Sequence, residues 1–402
     1  MPARGDPDNV VVAAVHRWDD LTVAVGRSEI HAAFVGTYPP TRCGIATFTR
    51  ALAEAWIERA HGPVDVVRVM DDDDVPDRDP LVSHRWRGAG SDAVRAAAAA
   101  ASRADIVILQ HEYGIYPGDD GGAVVAFVDR LTAPCVVVLH TVVAAPTVRQ
   151  RSIAERLAAR AATVVVQSQS ASARLMATTG IDPRRIAVIP HGAPHVVRAP
   201  TPSGAGAREL LTWGLLGPGK GIEHALRAVA ELRDIVPGPH YTVAGQTHPK
   251  VRAREQESYR ASLLALTREL GIEHMVTFDD RYRTTEEVVA MICAADVAIL
   301  PYDSRDQVTS GVLVEALAAG CPVVATAFPH AVELLAGGAG ITVPHEDPHA
   351  MARALRAILT QPRVLGALRS QAAAIGAELD WGVVADRYAQ LADAVTHRTT
   401  AA

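Results

Sequence analysis

Lysine is almost missing from this 402-residue chain: Lys220 and Lys250 are the only two among 39 basic residues, leaving 37 arginines. Cysteine is sparse too. Cys43, Cys135, Cys293 and Cys321 lie far apart with no CxxC pair, which argues against a zinc site or a disulfide framework and suits a reducing compartment. No apolar run approaches the ~18–20 residues needed to cross a bilayer. No basic start, apolar stretch and small-residue cleavage site follow one another, so no secretory leader is expected. Nor is there an excess of positive charge. A net charge of −6 and a pI near 6.2 disfavour a nucleic-acid partner held through phosphates. What remains is a soluble chain, 49% hydrophobic and 21% charged, with cytoplasmic localisation the expectation. Its length is suited to two or three domains.

Short β-branched runs alternate with alanine-rich helical stretches. The runs at 31–38, 64–70, 105–110, 135–141, 163–168 and 186–192 are apolar on both faces, as buried parallel strands are. Helical patterns fall between them at 44–60, 91–104, 121–131 and 148–161. The resulting βαβ series predicts a doubly wound α/β sheet. A Pro- and Gly-rich stretch at 193–206 reads as a linker. Beyond it the alternation restarts, with strands at 210–216, 240–245, 276–279, 297–302, 322–326 and 340–344. Helices are expected near 221–236, 255–270, 286–294, 311–319 and 348–359. The expected layout is an N-terminal tail (1–28), a first Rossmann-like domain (29–192), the linker, a second such domain (207–378), and a final segment (379–402). The last contains an amphipathic helix at 381–394, suited to crossing back to the first domain.

Chemistry concentrates in loops after strands. Gly214-Leu-Leu-Gly217-Pro-Gly219-Lys220-Gly221 ends a strand and opens a helix, where glycines let backbone approach a phosphate and unpaired N–H groups face it. It is not a Walker A loop, since Gly221 rather than Ser or Thr follows the lysine. A second loop, from Asp303 through Gln307, Thr309 and Ser310 to Gly311, opens an otherwise apolar helix carrying Glu315. A carboxylate on a buried helix needs partners, either protein donors or ligand hydroxyls. In the first half, a loop reaching Gly44, the segment Gln110-His111-Glu112, and His140-Thr141 all lie at strand ends, where ligands of open α/β sheets bind. The acidic run Asp71 to Asp74 reads as a solvated turn, and the basic residues Arg149, Arg151, Arg156 and Arg160 as a solvated helix face. That face also motivates an expectation of peripheral membrane contact.

Taken together, His111-Glu-Tyr-Gly-Ile, His140-Thr-Val, Pro190-His-Gly, Gly217-Pro-Gly-Lys-Gly, Gln307-Val-Thr-Ser-Gly and Glu315-Ala-Leu-Ala-Ala-Gly-Cys-Pro resemble the family 4 glycosyltransferases, most of all their mannosyltransferase-like branch. The resemblance implies a GT-B fold, with two Rossmann-like domains facing across a cleft. It implies a retaining hexosyl transfer from a nucleotide-sugar donor, GDP-mannose first and UDP-glucose second, to a saccharide or glycolipid acceptor, without cofactor or metal. Glu315 would hold the ribose. Lys220, Gly217, Gly219, Thr309 and the N–H groups of Ser310 and Gly311 would bind the diphosphate, while Asp280 and Arg281 would lie near the base. Gly44 would belong to the mobile first-domain loop, with His111 and Glu112 on the acceptor side. His140 would serve the transition state.

Two positions depart from the family pattern. Gln307 stands where the first acid of Glu-x7-Glu is expected, its amide still able to hydrogen-bond the transferring sugar as a catalytic residue beside Glu315, and Leu215 stands where a basic residue often is. The alternatives are a GT-B nucleotide-sugar epimerase and a non-catalytic nucleotide-sugar binding module.

Overall fold

A computed structural model of the chain describes residues 29–71, 74–194, 196 and 209–400. The expected tail and most of the expected linker lie outside the described residues. The first half runs β1 (Ala32–Gly36), α1 (Gly44–Glu58), β2 (Val64–Met70), β3 (Val82–Arg87), α2 (Ser91–Ala101), β4 (Ile106–His111), α3 (Ala123–Val128), β5 (Cys135–Leu139), α4 (Val148–Arg160), β6 (Thr163–Val166), α5 (Gln169–Thr179) and β7 (Ile186–Val188). The second runs β8 (Glu209–Trp213), α6 (Ile222–Ala230), β9 (His240–Ala244), α7 (Pro249–Glu255), α8 (Ser258–Glu269), β10 (Val276–Asp279), α9 (Thr285–Ala294), β11 (Val297–Leu300), α10 (Gly311–Ala318), β12 (Val323–Thr326), α11 (Pro329–Leu335), β13 (Gly340–Val343), α12 (Pro348–Thr360) and α13 (Pro362–Glu378). The helix α14 (Trp381–Thr400) ends the chain.

Each half builds one parallel sheet, in the orders β3-β2-β1-β4-β5-β6-β7 and β10-β9-β8-β11-β12-β13. Strand order reverses beside β1 and β4 in the first sheet and beside β8 and β11 in the second. Crevices for ligands form at such switch points, outside the carboxyl ends of the strands. The loops carrying Lys220 and Gln307 follow β8 and β11, and the loop reaching Gly44 follows β1. Apolar clusters cover both faces of each sheet, which is why β1, β4 and β5 are buried along their whole length.

The chain passes between the halves twice, side by side. Ala193 bridges Asp380, with the Ala193 N–H donating to Leu379 O at 2.8 Å and the Trp381 N–H to Ala193 O at 3.0 Å. Helix α14 then returns to the first half. Val384, Ala385, Tyr388 and Leu391 bury against Phe48, Leu52 and Trp56, and Asp386 pairs with Arg59 at 2.5 Å and His61 at 2.8 Å.

Several elements differ from expectation for physical reasons. Strand β3 lies at a sheet edge and buries only Val82 and Trp86, so it shows no apolar run. Helix α5 buries only Ala171, Ser172 and Leu175 of eleven residues, too faint a stripe to read. The helix expected at 255–270 is α8, while α7, set off from it at Gln256 with φ +54°, has no counterpart in the apolar pattern.

Of the acidic run, Asp72 and Asp73 lie outside the described residues; Asp71 is exposed, and Asp74 is half-buried, part of a network that follows it in the chain. Asp77, with 3% of its side chain exposed, pairs at 2.6 Å with both Arg68 and Arg85. Arg68 is wholly buried and also donates to Thr41 Oγ1 (2.9 Å), whose hydroxyl donates to Asp74 Oδ1 (3.0 Å). A buried guanidinium needs such partners, and the network braces the loop after β1 from behind. On α4, Arg149 pairs with Asp119, and Arg156 and Arg160 pair with Asp129. Among the described residues no helix is long and apolar enough to cross a membrane.

The paired crossings depend on a glycine. A Cβ on Gly192 would lie 2.2 Å from the Trp381 ring. Gly192→Ala is therefore expected to cost about 1–3 kcal/mol, the range for overpacking, as measured by urea denaturation. An unchanged midpoint would show that the hinge relaxes freely.

Candidate functional site

The glycine loop after β8 and the loop after β11 are clasped together. Gly221 has φ +62°, and a Cβ there would meet Pro301 O at 1.9 Å, while the Asp303 N–H donates to Gly219 O at 3.0 Å. No residue with a side chain fits this approach. Gly219 has φ +88° and faces open space, and Gly217 packs on Val251. The clasp sets the Lys220 ammonium over the Tyr302 ring, 4.4 Å from its centroid. Burial lowers the pKa of Lys220, and no carboxylate among the described residues pairs with it. A half-buried cation resting only on an aromatic face is an incomplete arrangement.

Helix α10 begins beside it. Ser310 is its N-cap and accepts from Leu313 N–H at 3.3 Å. The Ser310 N–H, expected to face a phosphate, instead donates to His330 Nδ1 at 2.9 Å. The backbone N–H groups of Gly311 and Val312 are the ones left at the helix start. The Gln307 amide also turns inward, donating from Nε2 to Thr309 O at 3.0 Å. A helix start inside a folded loop has its own hydrogen bonds to satisfy, and these two groups satisfy them. Thr309 is half-buried.

Glu315 has the partner its burial demands. The Trp213 indole N–H, at the end of β8, donates to Glu315 Oε2 at 2.8 Å. Burial still raises the carboxyl pKa, and the indole bond only moderates this. Trp213 was not singled out in the sequence; an aromatic immediately before Gly214 was the available signal. Asp280 and Arg281 are exposed, and the Arg281 guanidinium pairs with Asp279 at 2.8 Å. Arg42, in the loop after β1, lies 4.9 Å from the centroid of the Tyr282 ring and closes that side of the cleft.

From the first half, the half-exposed His140 comes to the cleft. Its Nε2 donates to Gln110 Oε1 at 2.8 Å, its Nδ1 faces Gln167 Nε2 at 3.4 Å, and Phe48 packs edge-on at 4.7 Å. Burial, with His191 and His111 nearby, pushes its pKa down to about 3. His191 stands between the halves. Its Nδ1 donates to Gly192 O at 2.6 Å, and its Nε2 would lie 3.2 Å from a Cβ on Gly311. Pro190-His191-Gly192 carries part of the family resemblance with no role implied for the histidine.

His111 is not at the cleft. It is fully buried between Tyr113 and Tyr116, with burial holding its pKa near 4. Continuation of β4 through residue 111 turns the ring into the core. Glu112 is half-buried beyond it. Gly44 opens α1 after the Cys43 N-cap, with free space around its Cα. Glu223, His224 and Asp303 place three potential metal-ligand atoms within 4.8 Å of one another beside the glycine loop, a grouping the sequence had not suggested.

Two parallel sheets meeting through such loops define the GT-B class, and comparison bears this out. The fold superposes on Anabaena HepE in complex with UDP and glucose, with a TM-score of 0.69, 18% identity, and coverage of 91% of this chain and 100% of that one. Residues 43–195 match the family described as Glycosyltransferase Family 4, and residues 207–361 match Glycosyl transferases group 1. Each half of the chain thus resembles a glycosyltransferase family model, one model on each sheet. It is 35% identical over 177 residues to the D-inositol 3-phosphate glycosyltransferase of Corynebacterium diphtheriae, covering 43% of this chain and 39% of that protein. It is 29% identical over 300 residues to the protein of that name from Kineococcus radiotolerans, covering 64% and 65%. The chain thus spans from about two fifths to two thirds of the length of these relatives.

The raised pKa of Glu315 has a measurable consequence. The folded state binds a proton more readily than the unfolded state, so stability falls as pH rises from the ordinary carboxylate range through the folded pKa. Glu315→Gln, which keeps an acceptor for Trp213, is expected to gain on the order of 1 kcal/mol at neutral pH. It should also remove that slope. Denaturation across pH checks both; equal stability of the two proteins at every pH would mean that Glu315 titrates as a solvated acid.

Proposed function

We propose that this protein transfers a hexosyl group from a nucleoside diphosphate sugar to a hydroxyl acceptor with retention of configuration. The observation that carries the reading is Lys220, a half-buried ammonium over the Tyr302 ring with no carboxylate partner among the described residues, in the loop clasped to the one that opens α10. A diphosphate completes that arrangement. Lys220 and the Gly311 and Val312 N–H groups take its charge, while Glu315, oriented by Trp213, takes the ribose hydroxyls. As the glycosidic C–O bond breaks, charge grows on the departing phosphate, and these fixed donors stabilise it. The acceptor hydroxyl attacks from the same face and gives its proton to that phosphate oxygen. His140, neutral and pinned by Gln110, lines the first-half wall where the sugar would lie.

Lys220 supplies the positive charge in this scheme, and turnover is expected to survive EDTA. The motif resemblance supports GDP-mannose as donor. The likeness to a structure holding UDP and glucose supports UDP-glucose as the second reading. The acceptor class is a saccharide or glycolipid, and the names of the relatives add inositol phosphate to the panel. Peripheral contact with the inner membrane face is proposed only as the setting for a glycolipid acceptor.

Incubation with labelled GDP-mannose and UDP-glucose, with and without acceptors, tests the reading. A retained anomeric linkage in the product supports transfer. An epimerised donor would replace it with isomerisation, and label bound but never turned over would indicate a binding module.

Lys220→Ala is expected to weaken nucleoside-diphosphate binding by about 1.5–3 kcal/mol, measured by calorimetry. Because the Lys220 pKa is lowered, affinity should hold at neutral pH and fall as pH rises through that pKa, earlier than for an exposed lysine. Full affinity in the variant would remove Lys220 from the site. His140→Ala should lower kcat far more than it raises the donor KM; the reverse pattern would limit His140 to ground-state positioning.

A further inference from the structure

The loop joining β11 to α10 is covalently part of the second half but is packed into the first. Val308 is 4% exposed and belongs to the apolar cluster of the first sheet. Its carbonyl accepts from Ser168 Oγ at 2.7 Å, and the Asp306 carbonyl accepts from Arg174 at 2.5 Å. Behind this loop stands α11, whose two polar side chains point to different partners. His330 faces the loop: its backbone N–H donates to Gln307 O at 3.2 Å, and its Nδ1 accepts the Ser310 N–H. Glu333, three residues on, crosses to the first half. Its Oε1 accepts from Gln169 N–H at 2.8 Å, and its Oε2 accepts from Ser170 N–H at 2.9 Å and Ser170 Oγ at 2.8 Å. A carboxylate from one half thus neutralises the first turn of α5 in the other, where negative charge is favoured.

The His330 ring must accept at Nδ1, so it carries its proton at Nε2 and is neutral; burial holds its pKa near 3. It cannot switch roles in the neutral range. With Ser310 N–H occupied, the groups left for an anion at α10 are those of Gly311 and Val312, and His330 thereby sets which part of the helix start faces the ligand.

We propose that α11 is a coupling strut, in which His330 and Glu333 are positioning residues that tie occupancy of the α10 start by a nucleoside diphosphate to docking of the two halves. The nucleotide arm rests on the proposed function; the docking arm does not. Opening the cleft on this side requires Val308 to leave the first-half core and strips Gln169 and Ser170 N–H of their acceptor. A ligand that orders the loop resists that opening, and by linkage docking tightens the ligand by the same factor.

The experiment uses the full chain. Small-angle X-ray scattering without ligand compares wild type with Glu333→Ala and the milder Glu333→Gln, each first checked for a cooperative thermal melt. Both variants should show a larger radius of gyration, Glu333→Ala more so, and UDP or GDP should return it toward the wild-type value. The affinity of Glu333→Ala for that nucleotide, by calorimetry, should fall about 5-fold or more. His330→Asn puts an amide oxygen where Nδ1 lies and should bind within about 3-fold of wild type, whereas His330→Gln reaches the Nε2 position and should lose as much as His330→Ala.

In the double variant of His330→Ala and Glu333→Ala, the losses should be less than additive. Wild-type scattering from Glu333→Ala overturns the strut outright. Equal binding by the Asn and Gln variants overturns the role of His330. A wild-type protein that binds neither UDP nor GDP overturns the proposed function, and the scattering comparison still decides the docking arm.

Discussion

The structure depends on one loop being held by two bodies. Residues 303–310 leave β11, clasp the glycine loop through Asp303 and Gly219, pass Val308 into the other half's core, and end as the N-cap of α10. That path fixes where Lys220, Gln307 and the start of α10 stand. It also explains why so many of the loop's polar groups are engaged by the protein itself. Where the segment is buried, at Val308 and Ser310, its backbone groups cannot stay unpaired, so His330 takes the Ser310 N–H and Ser168 satisfies Val308 O, while Thr309 O takes the Gln307 amide. Among the described residues, the groups left facing the cleft include an ammonium over a tyrosine ring and two N–H groups at a helix start.

The same economy governs the histidines. His140, His191 and His330 gather near the start of α10, and burial keeps each neutral, with pKa values pushed down to about 3 or 4. A cluster of imidazolium ions beside Lys220 would repel one another and the lysine. Neutral rings instead provide directed donors and acceptors, each oriented by a neighbour: Gln110 for His140, Gly192 O for His191 and the Ser310 N–H for His330. These three rings thus add no positive charge beside Lys220, the lysine that stands out in an arginine-rich chain.

Much of this was legible in the residues. Strands buried on both faces announce themselves as continuous apolar runs, and a glycine loop between strand and helix marks a backbone that must approach something closely. Thus the two α/β halves, the loops bearing Lys220 and Gln307, and the isolated acid Glu315 could be named from the chain alone, because each is a local pattern. Edge strand β3 and helix α5 could not be, since their burial is sparse and supplied by distant neighbours.

Partnership is the property that local pattern does not carry. Trp213 lies 102 positions from Glu315 and His330 twenty from Ser310, and Glu333 meets α5 from another sheet. His111 and His140 look alike in sequence, each near a strand end, yet one is sealed between tyrosines and the other reaches the cleft. The sequence by itself determined the periodicity, the glycines and the single lysine of the loop. Only the tertiary structure decided which side chains face one another, because strand pairing and the docking of the two halves bring together residues that no spacing along the chain relates.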